Sequence, residues 1–271
     1  MQAINRTSNT QKPAGKKSQL MNAAAMLLAA GLCLAATSAQ AAPIVIQDNY
    51  IGGEPTDPSL SGQDIVGRAT GFEVSKMAVS FTSANTMIVD VYSRYFDNIG
   101  LYDTQLGDLF ISTDGYDKDG EDWEYALKLD DHLPNRTTLS GEIFLYRVLN
   151  TETETNIIYS NAPSGSTYRV GEEVQYTGNG QDALATGTWS LNNIGRRDKD
   201  DFLHFTIAYD FGDVDTYGLH WGMTCGNDVI EGAAAAPVPE PSAMLLFGTG
   251  LLGLGGALRQ RMQPNNDIRI K

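Results

Sequence analysis

Two stretches of the chain, 86-TMIVDVYSRY-95 and 202-FLHFTIAY-209, carry an apolar side chain at every second position. These apolar residues are Met87, Val89 and Val91 in the first stretch, and Leu203, Phe205, Ile207 and Tyr209 in the second. Successive side chains of a β-strand point to opposite faces, so a period of two predicts strands with one buried face. The two stretches therefore favour a β-rich fold.

Eight further stretches are typical of short strands, because they are rich in β-branched and aromatic residues and are separated by turn-forming clusters. They are residues 72–82, 107–113, 123–129, 141–149, 156–160, 168–177, 187–191 and 217–224. About ten or eleven short strands, without a convincing soluble helix, predict an all-β fold. We expect an antiparallel β-sandwich or jelly roll over residues 42–232.

Residues 1–41 have the three parts of a secretory signal peptide. A basic segment without acidic residues precedes an apolar run, and the small residues Ala39 and Ala41 end the segment. Signal peptidase requires small residues at these places, so we expect cleavage just before Ala42. The chain is therefore expected to leave the cytoplasm, with signal peptidase as its first partner.

A second apolar segment lies near the C-terminus. Residues 242–258 carry no charge and would form a helix of ~25 Å, slightly short of the ~30 Å hydrocarbon core of a bilayer. The small residues and prolines of 233–241 predict a flexible linker ahead of this helix. Arg259 and Arg261 follow the helix, and positive charge stays cytoplasmic. We expect a single, transiently inserted transmembrane helix with a basic cytoplasmic tail over 259–271.

The order of Pro239-Glu240-Pro241, a glycine-rich apolar helix and the Arg259/Arg261 pair resembles the PEP-CTERM protein-sorting domain. The resemblance implies recognition by an exosortase, an integral-membrane transpeptidase-like enzyme that would cut near Pro-Glu-Pro. It also implies release or transfer of the body at the surface of a Gram-negative bacterium that makes exopolysaccharide. The two prolines hold the chain extended, and an extended peptide is what a protease-type active site binds.

The body between the two terminal signals is strongly acidic. Residues 42–232 contain 11 Lys and Arg against 31 Asp and Glu, which gives a net charge of −20. Such a surface repels nucleic acid and anionic lipid, so DNA or RNA binding is excluded as a function class. Cys33 leaves with the signal peptide, and Cys225 then has no intramolecular disulfide partner. We expect Cys225 to be buried at a strand end, with an intermolecular link as the alternative.

The densest acidic cluster is 112-STDGYDKDGEDWEY-125, between two predicted strands. Its acidic residues are Asp114, Asp117, Asp119, Glu121 and Asp122. Carboxylates crowded on a tight turn are the ligands that Ca²⁺ prefers, so the cluster is a candidate calcium site, although its spacing does not match an EF-hand. A solvated hairpin loop is the alternative. Tyr116 and Trp123 flank the loop and are candidates for stacking on a sugar ring.

The segment around this loop is similar to DOMON domains and carbohydrate-binding modules, which pair a Gly-Asp strand with an acidic loop and a Trp/Tyr strand. The matching positions are 107–111, 114–122 and 123–127. This similarity implies ligand binding without catalysis, with polysaccharide as the candidate ligand, and no haem ligand can be assigned. We therefore expect a non-enzymatic surface or matrix protein with an adhesive, structural or glycan-binding role. The alternative is a secreted hydrolase of polysaccharide, which would need two carboxylates flanking a cleft.

Overall fold

The stretches 86–95 and 202–209 form neighbouring antiparallel strands in the computed structural model of the chain. Val89 lies opposite Phe205, and Val91 lies opposite Leu203, so the apolar faces predicted from each stretch coincide. The structure describes residues 42–83, 85–100, 103–117, 123–134, 138–148, 156–178, 182–192, 201–237 and 248. Within these residues, all pairings between strands are antiparallel, which confirms that the body is all-β and antiparallel.

Twelve strands are found in the described residues. They are β1 Ile44–Gln47, β2 Val74–Ser83, β3 Thr86–Ser93, β4 Leu109–Ser112, β5 Tyr125–Leu129, β6 Ser140–Arg147, β7 Ile157–Tyr159, β8 Glu173–Tyr176, β9 Ala185–Asn192, β10 Phe202–Ala208, β11 Thr216–Gly222 and β12 Val229–Ala235. The helical elements with defined bounds in the described residues are α1, Ala69–Phe72, and two 3₁₀ turns, Pro58–Leu60 and Arg94–Asn98. Ten strands form one sheet in the order β1-β2-β3-β10-β9-β6-β5-β4-β11-β12, and β7 pairs with β8 alone.

The ten-stranded sheet curls until its two edge strands, β1 and β12, lie against each other. Ile46 of β1 packs over Gly232 of β12, at a place where a larger residue would collide with it. A register shift between Val74 and Lys76 marks a bulge in the β2–β3 pair, and bulges bend and twist a strand. The inner faces of all ten strands enclose one large apolar core as a nearly closed cylinder.

This architecture corrects the prediction of a sandwich or jelly roll. Ten of the twelve described strands belong to a single sheet that folds back on itself, and they are not divided between two sheets packed face to face. Period-two patterns show that a strand has one buried face, but they are the same whether that face meets a second sheet or the far side of its own sheet.

The small β7–β8 sheet covers part of the outer face of the large sheet. A second apolar cluster fills the space around it and consists of Phe110, Trp123, Ala126, Val148 and Tyr176. The fully buried Asp108 connects the layers: its Oδ2 accepts from Tyr176 N at 2.7 Å, and its Oδ1 accepts from Leu129 N at 2.9 Å. Strands β4 and β5 therefore have two buried faces, as their almost unbroken burial shows.

Two strands and one boundary were missed by the sequence analysis. Strands β1 and β12 were not predicted. Because β12 extends to Ala235, it includes the first three residues of the segment 233–241 that was predicted to be a linker. Small residues lack the β-branched signal of a strand; here Ala234 is buried and Ala233 and Ala235 face outward.

Several predicted segments lie outside the described residues. These are the signal peptide 1–41 with Ala39 and Ala41, the motif residues Pro239, Glu240 and Pro241, the helix 242–258 apart from Gly248, and the tail 259–271 with Arg259 and Arg261. Ala42, the residue expected after signal cleavage, is exposed. In the part of the chain that the structure describes, no helix has the length and apolar character needed to cross a bilayer.

Candidate functional site

The acidic loop 114–122 is only partly described. Asp114 and Asp117 are exposed, and Asp114 Oδ1 accepts a hydrogen bond from Ser112 Oγ at 2.8 Å. Asp119, Glu121 and Asp122 lie outside the described residues. The calcium site predicted for this loop therefore stays a prediction.

The two aromatic residues beside the loop have different surroundings. Tyr116 is half-buried. Trp123 is only 3% exposed, and its ring lies 5.5 Å from that of His220 and 6.4 Å from that of Phe110. The prediction that Trp123 stacks on a sugar is wrong, because the small sheet covers the outer face of the large sheet at this place. Tyr116 remains a predicted stacking residue.

A different carboxylate group is formed by residues far apart in the sequence. Asp48 follows β1, Asp64 lies in the loop between β1 and α1, and Asp228 directly precedes β12. Each contributes a carboxylate oxygen to a group whose atoms all lie within 4.8 Å of one another. We call Asp48, Asp64 and Asp228 the aspartate trio. The contact between the two edge strands of the sheet brings Asp48 and Asp228 together.

Burial and mutual repulsion perturb the trio strongly. Burial, followed by the charges of Asp64 and Glu73, raises the pKa of Asp48 to about 8. Burial, followed by the charge of Asp48, raises the pKa of Asp228 to about 9. Asp228 Oδ2 accepts from Val74 N at 2.6 Å, whereas Asp48 Oδ1 is buried without a hydrogen-bond partner in the described part of the chain. With these pKa values, Asp48 and Asp228 hold protons at neutral pH.

Arg169 supports the loops around the trio. Its guanidinium is buried and donates to the carbonyl oxygens of Gly53, at 2.9 Å, and of Gln63 and Asp64. Its charge lowers the pKa values of the trio, but burial outweighs this effect. The trio has the oxygen ligands that a divalent cation prefers, so it is the group of described residues that could hold one.

A buried ion pair lies further along β12. His220 on β11 is fully buried, with Nδ1 at 2.9 Å from Glu231 Oε2 and Nε2 at 2.9 Å from the carbonyl oxygen of Glu173. Burial alone would lower the pKa of His220. The hydrogen bond and the charge of Glu231 outweigh burial and raise the pKa to about 9. Both ring nitrogens therefore donate, and the imidazolium joins β12 to β11 and β8.

A crevice of about 260 Å³ opens next to the trio, between the 67–72 segment, the 162–167 loop and the start of β12. Its lining comprises Gly67, Arg68, Phe72, Thr104, Ala162, Ser166, Thr167, Cys225 and Asn227. Asn227 is 4% exposed, and its Oδ1 has no hydrogen-bond partner among the described residues. Cys225 is buried as predicted, and burial raises the pKa of its thiol to about 12, so it is a poor nucleophile.

Comparison with known proteins identifies the C-terminal segment. A family model described as the PEP-CTERM protein-sorting motif matches residues 237–261. The predicted sorting motif is thereby confirmed, and it indicates an exosortase-targeted surface protein. No curated protein and no solved structure matches the chain, so the similarity to DOMON domains and carbohydrate-binding modules is not confirmed.

Proposed function

We propose that the chain is exported by residues 1–41, processed by an exosortase near Pro239-Glu240-Pro241, and active as a non-catalytic, glycan-binding protein at the cell surface or in the exopolysaccharide matrix. The observation that carries this proposal is the sorting motif at 237–261, which begins two positions after the last strand of a β-rich body. A sorting signal directly behind a folded body implies that the body is the delivered cargo.

The crevice beside the trio is the place that we assign to the glycan. Its volume of about 260 Å³ is of the order needed for one sugar unit. Arg68, Ser166, Thr167 and the orphaned Asn227 Oδ1 offer donors and acceptors for hydroxyl groups, and the ring of Phe72 offers an apolar surface. Aromatic and polar groups that converge in a concave site are the usual lining of ligand pockets.

Binding is favoured over hydrolysis by the position of the carboxylates. A glycosidase needs two carboxylates that flank the bound sugar, and the residues that line the crevice include none. The hydrolase alternative is favoured by the trio, because its carboxylate oxygens lie within 4.8 Å of one another and some of its members are protonated acids. However, Asp228 is fully buried and hydrogen-bonded to Val74 N, so it is not accessible to a substrate.

The processing claim is tested by mass spectrometry of the protein from its host, with and without the exosortase gene. We expect C-terminal peptides to end near Pro239-Glu240-Pro241 in the wild type and to extend beyond Arg261 in the deletion strain. C-terminal peptides that reach Lys271 equally in both strains would contradict the proposal.

The binding claim is tested by retention of the mature protein on exopolysaccharide purified from the same host. Ser166→Trp fills the crevice, and Ser164→Trp places the same side chain at an exposed position two residues away. We expect about a tenfold loss of retention for the first variant and none for the second. Release of reducing sugar by the wild type, lost in Asp64→Asn, would instead support the hydrolase alternative.

A further inference from the structure

The folded body ends close to the sorting motif. Strand β12 ends at Ala235, and only residues 236–238 separate it from Pro239. Three extended residues span about 10 Å. An enzyme embedded in the membrane would have to bind Pro239-Glu240-Pro241 while a body of nearly 200 residues is held against its entrance.

The two halves of strand β12 are anchored to the body to different degrees. In its first half, Val229 is 1% exposed, Ile230 is fully buried, and Glu231 pairs with the buried His220 at 2.9 Å. Its second half is 233-AAA-235, in which Ala234 is buried and the other two side chains are exposed. The second half therefore buries little apolar surface, whereas the first half is anchored by packing and by an ion pair.

The second half also has ladder hydrogen bonds on one side only. Strand β12 is an edge strand whose ladder hydrogen bonds go to β11 alone. On its other side it lies against β1 without ladder pairing, and the packing of Ile46 over Gly232 is at the inner boundary of the second half. The last ladder contact is Ala236 N to the Asp215 carbonyl oxygen at 2.9 Å. Detachment of 233–237 would break this end of one ladder and leave the neighbouring strands paired, because edge strands separate without disturbing the rest of a sheet.

We propose that residues 233–237 form a detachable strand end, which leaves β11 when the exosortase binds and so extends the tether between the body and Pro239. Detachment as far as Gly232 lengthens the tether from three residues to six, or from about 10 Å to about 20 Å. The His220–Glu231 ion pair sets the point where detachment stops. This inference rests on the proposed exosortase processing and adds a conformational step to it.

A disulfide between Thr216→Cys and Ala235→Cys tests the step. The two residues lie directly opposite each other, and the hydrogen bond at the adjacent 215/236 pair makes theirs a non-hydrogen-bonded pair, with close side chains. Ala235 is exposed and Thr216 is half-buried, so both substitutions fit the surface. Cys225 is 1% exposed and does not compete.

We expect the oxidised double variant to be processed at least tenfold more slowly in the exosortase-containing host, and each single cysteine variant to be processed as the wild type is. Insertion of six Gly and Ser residues between Pro237 and Val238 should restore processing of the locked chain. A non-reducing gel confirms the lock. Equal processing of locked and unlocked chains overturns the detachment, whereas a wild-type chain that the exosortase leaves intact overturns the proposed function as well.

A second pair of variants requires no disulfide. Ala233→Gly with Ala235→Gly weakens the strand end, and Ala233→Val with Ala235→Val strengthens it, because β-branched residues favour strands. We expect faster processing in the first and slower processing in the second, with unchanged melting of the body. The same rate in both variants contradicts the proposal.

Discussion

A single buried carboxylate, Asp108, fixes three segments of the chain. It is fully buried, and it accepts hydrogen bonds from the backbone of Leu129, from the backbone of Tyr176 and from His132 Nε2 at 2.7 Å. A buried charge is tolerated when its oxygens are satisfied in this way. Asp108 thereby fastens the small sheet to the outer face of the large one.

The substitution Asp108→Asn should lower the free energy of unfolding by roughly 2–4 kcal/mol, because an amide cannot accept from all three donors and loses the charge. Urea denaturation followed by tryptophan fluorescence measures the change. Asp182→Asn, at an exposed position ahead of β9, is the matched control and should have no effect. Equal stability of both variants would contradict the role of Asp108.

Stability should fall as the pH rises from about 6.5 to 9. The raised pKa of His220, about 9, adds stability that is complete below its unfolded pKa of 6.5 and is lost as the pH passes 9. The raised pKa values of Asp48 and Asp228, about 8 and 9, add a cost that grows from pH 3.8 until these groups ionise. Both effects have the same sign in this range.

Thermal melting between pH 6 and 9 measures this slope. The variant Asp48→Asn removes one group that must ionise, so its melting temperature should fall less with pH than that of the wild type. A melting temperature that rises over this range would show that the trio and the ion pair do not control stability.

At the scale of elements, the crossing of β4, β8 and β11 depends on Gly107. A Cβ at this position would overlap the carbonyl oxygen of Gly222, the last residue of β11. It would also crowd the carbonyl oxygen of Val174 in β8. The position thus allows three backbones to approach closely, which is a common reason for a glycine next to a strand. Trp221 Nε1 donates to the Gly107 carbonyl oxygen at 3.1 Å and completes the junction.

Gly107→Ala should cost about 3 kcal/mol or more, because the overlap is with backbone atoms that cannot move without displacing a strand. Gly71→Ala is the control, since a Cβ there would make only an ordinary contact of 3.9 Å with Asn98 Nδ2. Chemical denaturation of the two variants should separate them clearly. Comparable stability would mean that the crossing can relax.

Ten strands could be predicted from the sequence because their pattern is local: alternation in 86–95 and 202–209 shows a buried face without reference to any partner. The end of β12 could not be predicted, since alanines carry no strand signal and its burial depends on β11. The trio could not be predicted either, because Asp48, Asp64 and Asp228 meet only after the sheet has curled. The prediction that Trp123 is exposed was wrong for the same reason, because the β7–β8 sheet, which is distant in the sequence, covers it.

At the scale of the whole molecule, the body combines a net charge of −20 over residues 42–232 with a core enclosed by one sheet. Like charges on a compact surface repel one another, so the folded state carries an electrostatic cost that salt screens. A net negative charge of this size disfavours contact of the body with anionic lipid.

We therefore expect the melting temperature of the mature protein to rise by about 2–4 °C for each 1 kcal/mol of repulsion that is screened. A NaCl series from 10 to 300 mM at pH 7 measures the effect, where these concentrations span Debye lengths of about 30 Å to less than 8 Å. Sucrose at equal osmolality controls for excluded-solute effects. A melting temperature that is independent of salt would show that the charges are already locally balanced.

Under the export proposed above, the contact between β1 and β12 also constrains the order of folding. A polypeptide that crosses a membrane from its N-terminus delivers β1 first and β12 last. Strand β1 can then pair early with β2, but it meets β12 only after almost the entire body has crossed. On this route the seam between β1 and β12 would close last. Until that moment the exported body would remain an open intermediate with an accessible apolar interior.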